Sequence, residues 1–116
     1  MPSKTRPKSV KKPWGGFDEY ATNAKCTVKI ITVKKGGVLS LQSHKRRTEH
    51  WVALDDGLTA IIGKRKIRMR KGRVVAVPKS ARHRAMASRN ARFLEISYGH
   101  FDENDIVRYE DKYGRA

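Results

Sequence analysis

From Cys26 onward the chain is a succession of short apolar runs cut by turn-forming residues, and it has no long stretch of 3.6-residue periodicity. That rhythm predicts strands and leaves helix a minor component. The candidate strands are Cys26 to Lys34, Leu39 to Gln42, His50 to Leu54, Leu58 to Ile62, Lys66 to Arg70, Arg73 to Pro78, His83 to Ala87 and Arg92 to Tyr98. Lys35-Gly36-Gly37, Asp55-Asp56-Gly57, Gly63-Lys64 and Lys71-Gly72 separate them, each offering a residue that tolerates positive φ where the chain reverses. In the first strand Val28, Ile30 and Thr32 share one face while Lys29, Ile31 and Val33 share the other, which predicts burial on both sides. Strands of this number and spacing make a sandwich, a jelly roll or a small barrel.

The chain has room for one such domain, at 116 residues, expected over 13–116. Before it, residues 1–12 hold five Lys or Arg and no acid, and are expected to form a mobile basic tail with no apolar face to bury. Trp14, Phe17 and Tyr20 then predict an aromatic lead-in packed on the domain, and Trp14 and Trp51 are read as core or rim packing. At the other end His100 to Ala116 holds five of the 11 acids, and is expected to fold back as a cap burying Ile106, Val107, Tyr109 and Tyr113. Cys26 is the only cysteine, which excludes an intramolecular disulfide and any zinc module needing two thiolates from one chain. The sequence has neither a secretory h-region nor an apolar run of membrane-spanning length, so a reducing, cytoplasmic setting is the expectation.

Chemistry concentrates between Gly36 and Trp51. Gln42 and His44 are two apart, so on one strand they point to the same face. Glu49 follows a short basic turn, and a hairpin of that length can return its carboxylate to their side. His83, after the apolar strand and Pro78, is positioned to reach the same interior from a strand distant in sequence. Mixed nitrogen and oxygen donors of this kind suit a divalent ion such as Zn, Mn, Fe, Co or Ni. Spacing alone leaves a second reading open, in which the same side chains are polar residues of an exposed hairpin.

Gln-x-His-x4-Glu-His-Trp over Gln42 to Trp51 resembles the first metal motif of the cupin superfamily, with Gln in place of its usual first His. More narrowly, Lys12-Pro13-Trp14-Gly15, Leu39-Ser40-Leu41-Gln42, Arg47-Thr48-Glu49-His50-Trp51 and the closing run Asp105 to Arg115 resemble the type II mannose-6-phosphate isomerase cupin. That cupin also forms the C-terminal domain of bifunctional mannose-1-phosphate guanylyltransferases. The resemblance implies an all-β double-stranded β-helix, the cupin jelly-roll barrel. It also implies a divalent metal ion held by Gln42, His44, Glu49 and His83, and conversion of mannose 6-phosphate to fructose 6-phosphate. Homodimerisation is a family expectation, and the general base is not identified. The chain departs from the family in two places: His44-Lys45-Arg46 stands where a run of histidines is usual, and Pro78-Lys79-Ser80 replaces Pro-x-Gly.

The net charge of +16 attracts anions of any kind, so placement must decide which. Arg47, Arg82 and Arg84 lie beside proposed ligands and are the candidates for a substrate phosphate, Arg47 first because it belongs to the motif. Lys64 to Arg73 carries seven basic residues in ten, read either as a nucleic-acid stripe or as the solvated outer face of the domain. Three functions follow: a metal-dependent sugar-phosphate isomerase, a non-catalytic cupin binding a phosphorylated or nucleotide sugar, and a basic nucleic-acid or ribonucleoprotein partner. A guanylyltransferase domain is not expected, since the length and a Gly-rich nucleotide loop are missing.

Overall fold

The computed structural model describes residues 7–114; the expected tail at 1–6, together with Arg115 of the closing motif, lies outside them. Eleven strands follow one another: β1 Lys8–Lys12, β2 Gly15–Glu19, β3 Cys26–Val33, β4 Leu41–His44, β5 Arg47–Ala53, β6 Leu58–Ile62, β7 Arg65–Met69, β8 Val74–Val77, β9 His83–Ala87, β10 Ala91–Gly99 and β11 Ile106–Glu110. One 3-10 turn, Glu103–Asp105, is the sole helical element among the described residues. No helix there is long and apolar enough to cross a membrane.

Two antiparallel sheets form the body, one in the order β3-β10-β5-β8 and the other β11-β4-β9-β6-β7. From β3 to β11 the chain changes sheet at every connection except β6–β7, so that β4, β6, β7, β9 and β11 lie opposite β3, β5, β8 and β10. This winding is that of the cupin double-stranded β-helix. Inward residues of both sheets make the core, with Trp51, Val77 and Phe93 from one and Leu58, Met69 and Ala85 from the other. Alternation dictates this: β6 reads buried at Leu58, Ala60 and Ile62 and half-buried between them.

The expected barrel does not close. No ladder joins the two sheets among the described residues. On one side β8 is four residues long and is followed by Pro78, which has no N–H to extend a ladder. On the other side, side chains from β3 and β11 line a common cavity instead of forming a seam between the strands.

Four further expectations are corrected. The strand Cys26–Val33 is buried on one face only: Val28 and Ile30 are 57% and 59% exposed, because β3 is an edge strand with nothing packed on its outer face. Lys8–Lys12 is a strand, paired with Gly15–Glu19 in register Val10↔Phe17. Backbone pairing needs no apolar face, and Gly16 lets the strands meet where a Cβ would collide with the Val10 carbonyl. Trp14 and Phe17 stand exposed on this hairpin instead of packing on the body. The C-terminal segment supplies an edge strand, β11, more than a cap, and leaves Val107, Tyr109 and Tyr113 exposed.

Candidate metal centre

β4 and β5 belong to different sheets, so the short link between them turns a corner of the sandwich and is not a hairpin. Asp105 clamps that corner by accepting hydrogen bonds from the Lys45 and Arg46 amides at 3.3 and 2.9 Å. Gly99, at φ 104°, lets β10 run close beneath it, since a Cβ there would lie 2.7 Å from the Arg46 carbonyl oxygen. Glu49 therefore meets His44 across the interior. His83 opens β9, the neighbour of β4, directly beside Gln42 in the register.

The three donors converge. His44 Nε2 lies 3.1 Å from His83 Nε2 and 3.3 Å from Glu49 Oε2, and His83 Nε2 lies 4.0 Å from Glu49 Oε1. Donors bound to one first-row divalent ion at about 2.0–2.2 Å stand roughly 3–3.5 Å apart, so small adjustments would seat an ion. All three side chains are fully buried. His83 Nδ1 donates to the Ala81 carbonyl at 2.9 Å, which leaves Nε2 with its lone pair facing the other donors. Glu49 is braced by the Trp51 indole N–H at 2.9 Å and by Arg47 Nε at 3.0 Å.

Burial lowers the His44 pKa to about 4, outweighing the nearby Glu49 charge. It also lowers that of His83, so both imidazoles are neutral near pH 7 and free to act as ligands. Burial works against the charge of Glu49, yet the surrounding His83, His44, Trp51 and Arg47 hold its carboxyl below the usual range. With the imidazoles neutral, the Trp51 and Arg47 contacts carry that effect at neutral pH. The cluster is a buried His/His/Glu set able to coordinate a divalent ion.

Gln42 lines the adjoining cavity, where its amide oxygen accepts from the Ser40 hydroxyl at 3.0 Å. The cavity, of about 280 Å³, is walled by Lys29, Arg47, Glu95 and Arg108 among others. Arg82, just before β9, and Arg84 on it were expected at a substrate phosphate; they flank His83 and point away from the cavity. The Arg82 guanidinium lies 3.9 Å from the Tyr109 ring centroid, and Arg84 Nε donates to the Leu39 carbonyl at 3.1 Å. His50 also faces elsewhere, against the Tyr98 hydroxyl.

Glu95 is the residue that sequence reasoning missed. It is buried in β10, and desolvation, followed by the charge of Glu49, raises its pKa to about 7. Its parity with Ala91 and Phe93 was the available signal: an acid on the core face of an otherwise apolar strand. Arg108 was equally legible, two residues beyond Ile106 on β11.

A family model described as mannose-6-phosphate isomerase C-terminal matches residues 3–111. The chain belongs to that family. Among curated relatives it is 33% identical over 112 residues to the xanthan biosynthesis protein XanB of Xanthomonas campestris pv. campestris, covering 94% of this chain and 24% of the relative. It is 34% identical over 111 residues to the alginate biosynthesis protein AlgA of Pseudomonas aeruginosa, covering 92% and 23%. The mannose-6-phosphate isomerase C-terminal domain described here thus spans about a quarter of the length of these relatives. Among solved structures, the sugar 3,4-ketoisomerase QdtA of Thermoanaerobacterium thermosaccharolyticum superposes with a TM-score of 0.71 at 17% identity, over 94% of this chain and 88% of that one. The epimerase RmlC of Legionella pneumophila gives 0.70 at 12% identity, over 92% and 71%. At such identities the structural likeness is one of fold.

Proposed function

We propose that this domain is a metal-dependent aldose–ketose isomerase that interconverts mannose 6-phosphate and fructose 6-phosphate. The observation that carries the reading is the convergence of His44, Glu49 and His83 beside a cavity that also holds a buried carboxyl, Glu95. On this reading Gln42 turns from Ser40 to complete the ligand set. A divalent ion held there would supply Lewis-acid stabilisation of the negative charge that develops on the substrate oxygens. Trp51 and Arg47 keep Glu49 charged and oriented for that task.

Isomerisation also needs a group that moves a proton between adjacent carbons. Glu95 fits this role by position: it is a buried carboxyl in the cavity wall, and burial followed by the Glu49 charge holds its pKa above the usual carboxylate range, which favours a group able both to take up and to release a proton. Its carboxylate takes the proton from C2 of the aldose and, as the acid, returns it to C1, while the hydroxyl proton passes from O2 to O1. A cavity of about 280 Å³ suits a hexose phosphate better than a nucleotide sugar.

The test is turnover of mannose 6-phosphate by purified protein supplied in turn with Zn, Mn, Fe, Co and Ni, with incorporation of solvent deuterium followed at the transferred position. Glu95→Gln is expected to lower kcat on the order of 100-fold or more with metal content unchanged. Saturable binding with no turnover under any ion would make this a sugar-phosphate-binding domain and not an isomerase.

A further inference from the structure

The cavity beside the metal cluster is lined by three cations from three strands: Lys29 of β3, Arg47 of β5 and Arg108 of β11. One acid, Glu95, faces them in the lining. Two of these cations hold N–H groups that no protein acceptor meets: Arg47 Nη1 and Arg108 Nε are buried and have no hydrogen-bond partner among the described residues. Arg47 is itself only 4% exposed, so its guanidinium is held away from bulk water. Its other nitrogens are used, Nε on Glu49 and Nη2 facing His44 Nε2 at 3.3 Å. Phe101 steadies the arrangement, with Arg47 Cζ 4.3 Å and Lys29 Nζ 4.0 Å from its ring centroid.

Buried donors without acceptors are rare in folded proteins, and where they gather on one cavity wall with excess positive charge they mark the place of an anion. We infer that Lys29, Arg47 and Arg108, positioned by Phe101, form an oxyanion subsite for a phosphate monoester. The identity of the sugar it carries rests on the isomerase reading above; the subsite itself does not. Guanidinium groups offer the planar donors that phosphate oxygens match. Ser40, on the same wall, is left to meet a sugar hydroxyl. Arg82 and Arg84 take no part, being spent on Tyr109 and on the Leu39 and Glu110 carbonyls.

The test titrates the full chain, in EDTA, with inorganic phosphate and with mannose 6-phosphate, and with mannose as the uncharged control. Ionic strength is held at about 0.15 M so that the general attraction of a +16 protein is screened. Both phosphates are expected to bind saturably and mannose not at all. Arg108→Gln should weaken both by about tenfold or more, Phe101→Leu should weaken them less, and Arg82→Gln should leave them unchanged. Thermal melting checks that each variant folds. Unaltered phosphate binding in folded Arg108→Gln and Phe101→Leu overturns the subsite, as does loss of binding in Arg82→Gln instead. Phosphate binding that depends on Arg108 without isomerisation of any sugar phosphate upholds the subsite while removing the isomerase. Turnover whose KM ignores Arg108→Gln does the reverse.

Discussion

Two groups of basic residues in this domain carry the same kind of charge in opposite surroundings. Lys64 to Arg73 lies on and around β7, the edge of the five-stranded sheet, with Lys66, Arg68 and Arg70 exposed and Ile67 and Met69 buried behind them. Lys29, Arg47 and Arg108 lie between the sheets, lining a cavity beside two buried carboxyls. In water each exposed charge interacts weakly, and a basic edge strand mainly discourages pairing with another edge. Inside, Arg47 is cut off from water and Lys29 and Arg108 are half-buried, so their charges depend on close partners, which is what gives them specificity. The seven-in-ten run is the more visible in the sequence, yet the cavity cations are the ones placed to do chemistry.

The largest effect expected from disturbing the interior group comes from Glu49→Ala. It removes the carboxylate of the candidate metal cluster and leaves Arg47 buried without its acid partner. Metal content by elemental analysis should fall to background, and urea unfolding should show a loss of about 3–5 kcal/mol. Retained metal with little destabilisation would mean that the interior charges are solvated like those on β7.

A smaller and pH-dependent effect is expected from Glu95→Gln in metal-free protein. The folded pKa of Glu95 lies above its unfolded value, so the protonated form supports the fold below about pH 4.5, and that support is lost as pH rises toward 7. Glutamine cannot ionise. The variant should therefore be more stable than the parent by on the order of 1–3 kcal/mol at pH 8, the gap closing by about pH 4.5. A gap independent of pH would show that Glu95 is not a buried, charge-sensitive group.

The smallest effect belongs to the surface group. Replacing Lys66, Arg68 and Arg70 together by Gln should change stability by no more than about 0.5 kcal/mol and leave metal content intact. Retention on immobilised heparin should shift to lower salt. Substantial destabilisation would instead assign the run a part in holding the sheet edge.

Much of this fold is legible without coordinates. Leu58–Ile62 and His83–Ala87 are the strands that apolar alternation predicts, and Cys26, Leu58 and His83 begin strands where expected. The hairpin β1–β2 was not legible because it has no buried face for alternation to reveal. β11 escaped for a related reason: as an edge strand it leaves Val107 and Tyr109 exposed. In the site, parity placed Gln42 with His44, but it could not say that β5 crosses to the other sheet and brings Glu49 in from across the interior.

The sequence by itself determined the strands with an apolar inward face, β3 to β10, and their breaks, because a side chain's face follows from a period of two along its own strand. Tertiary structure alone decided which inward residues meet. His44 and His83, or Arg47 and Arg108, come together through the winding of the chain between two sheets. That winding is governed by burial of the core they share, and no local period records it.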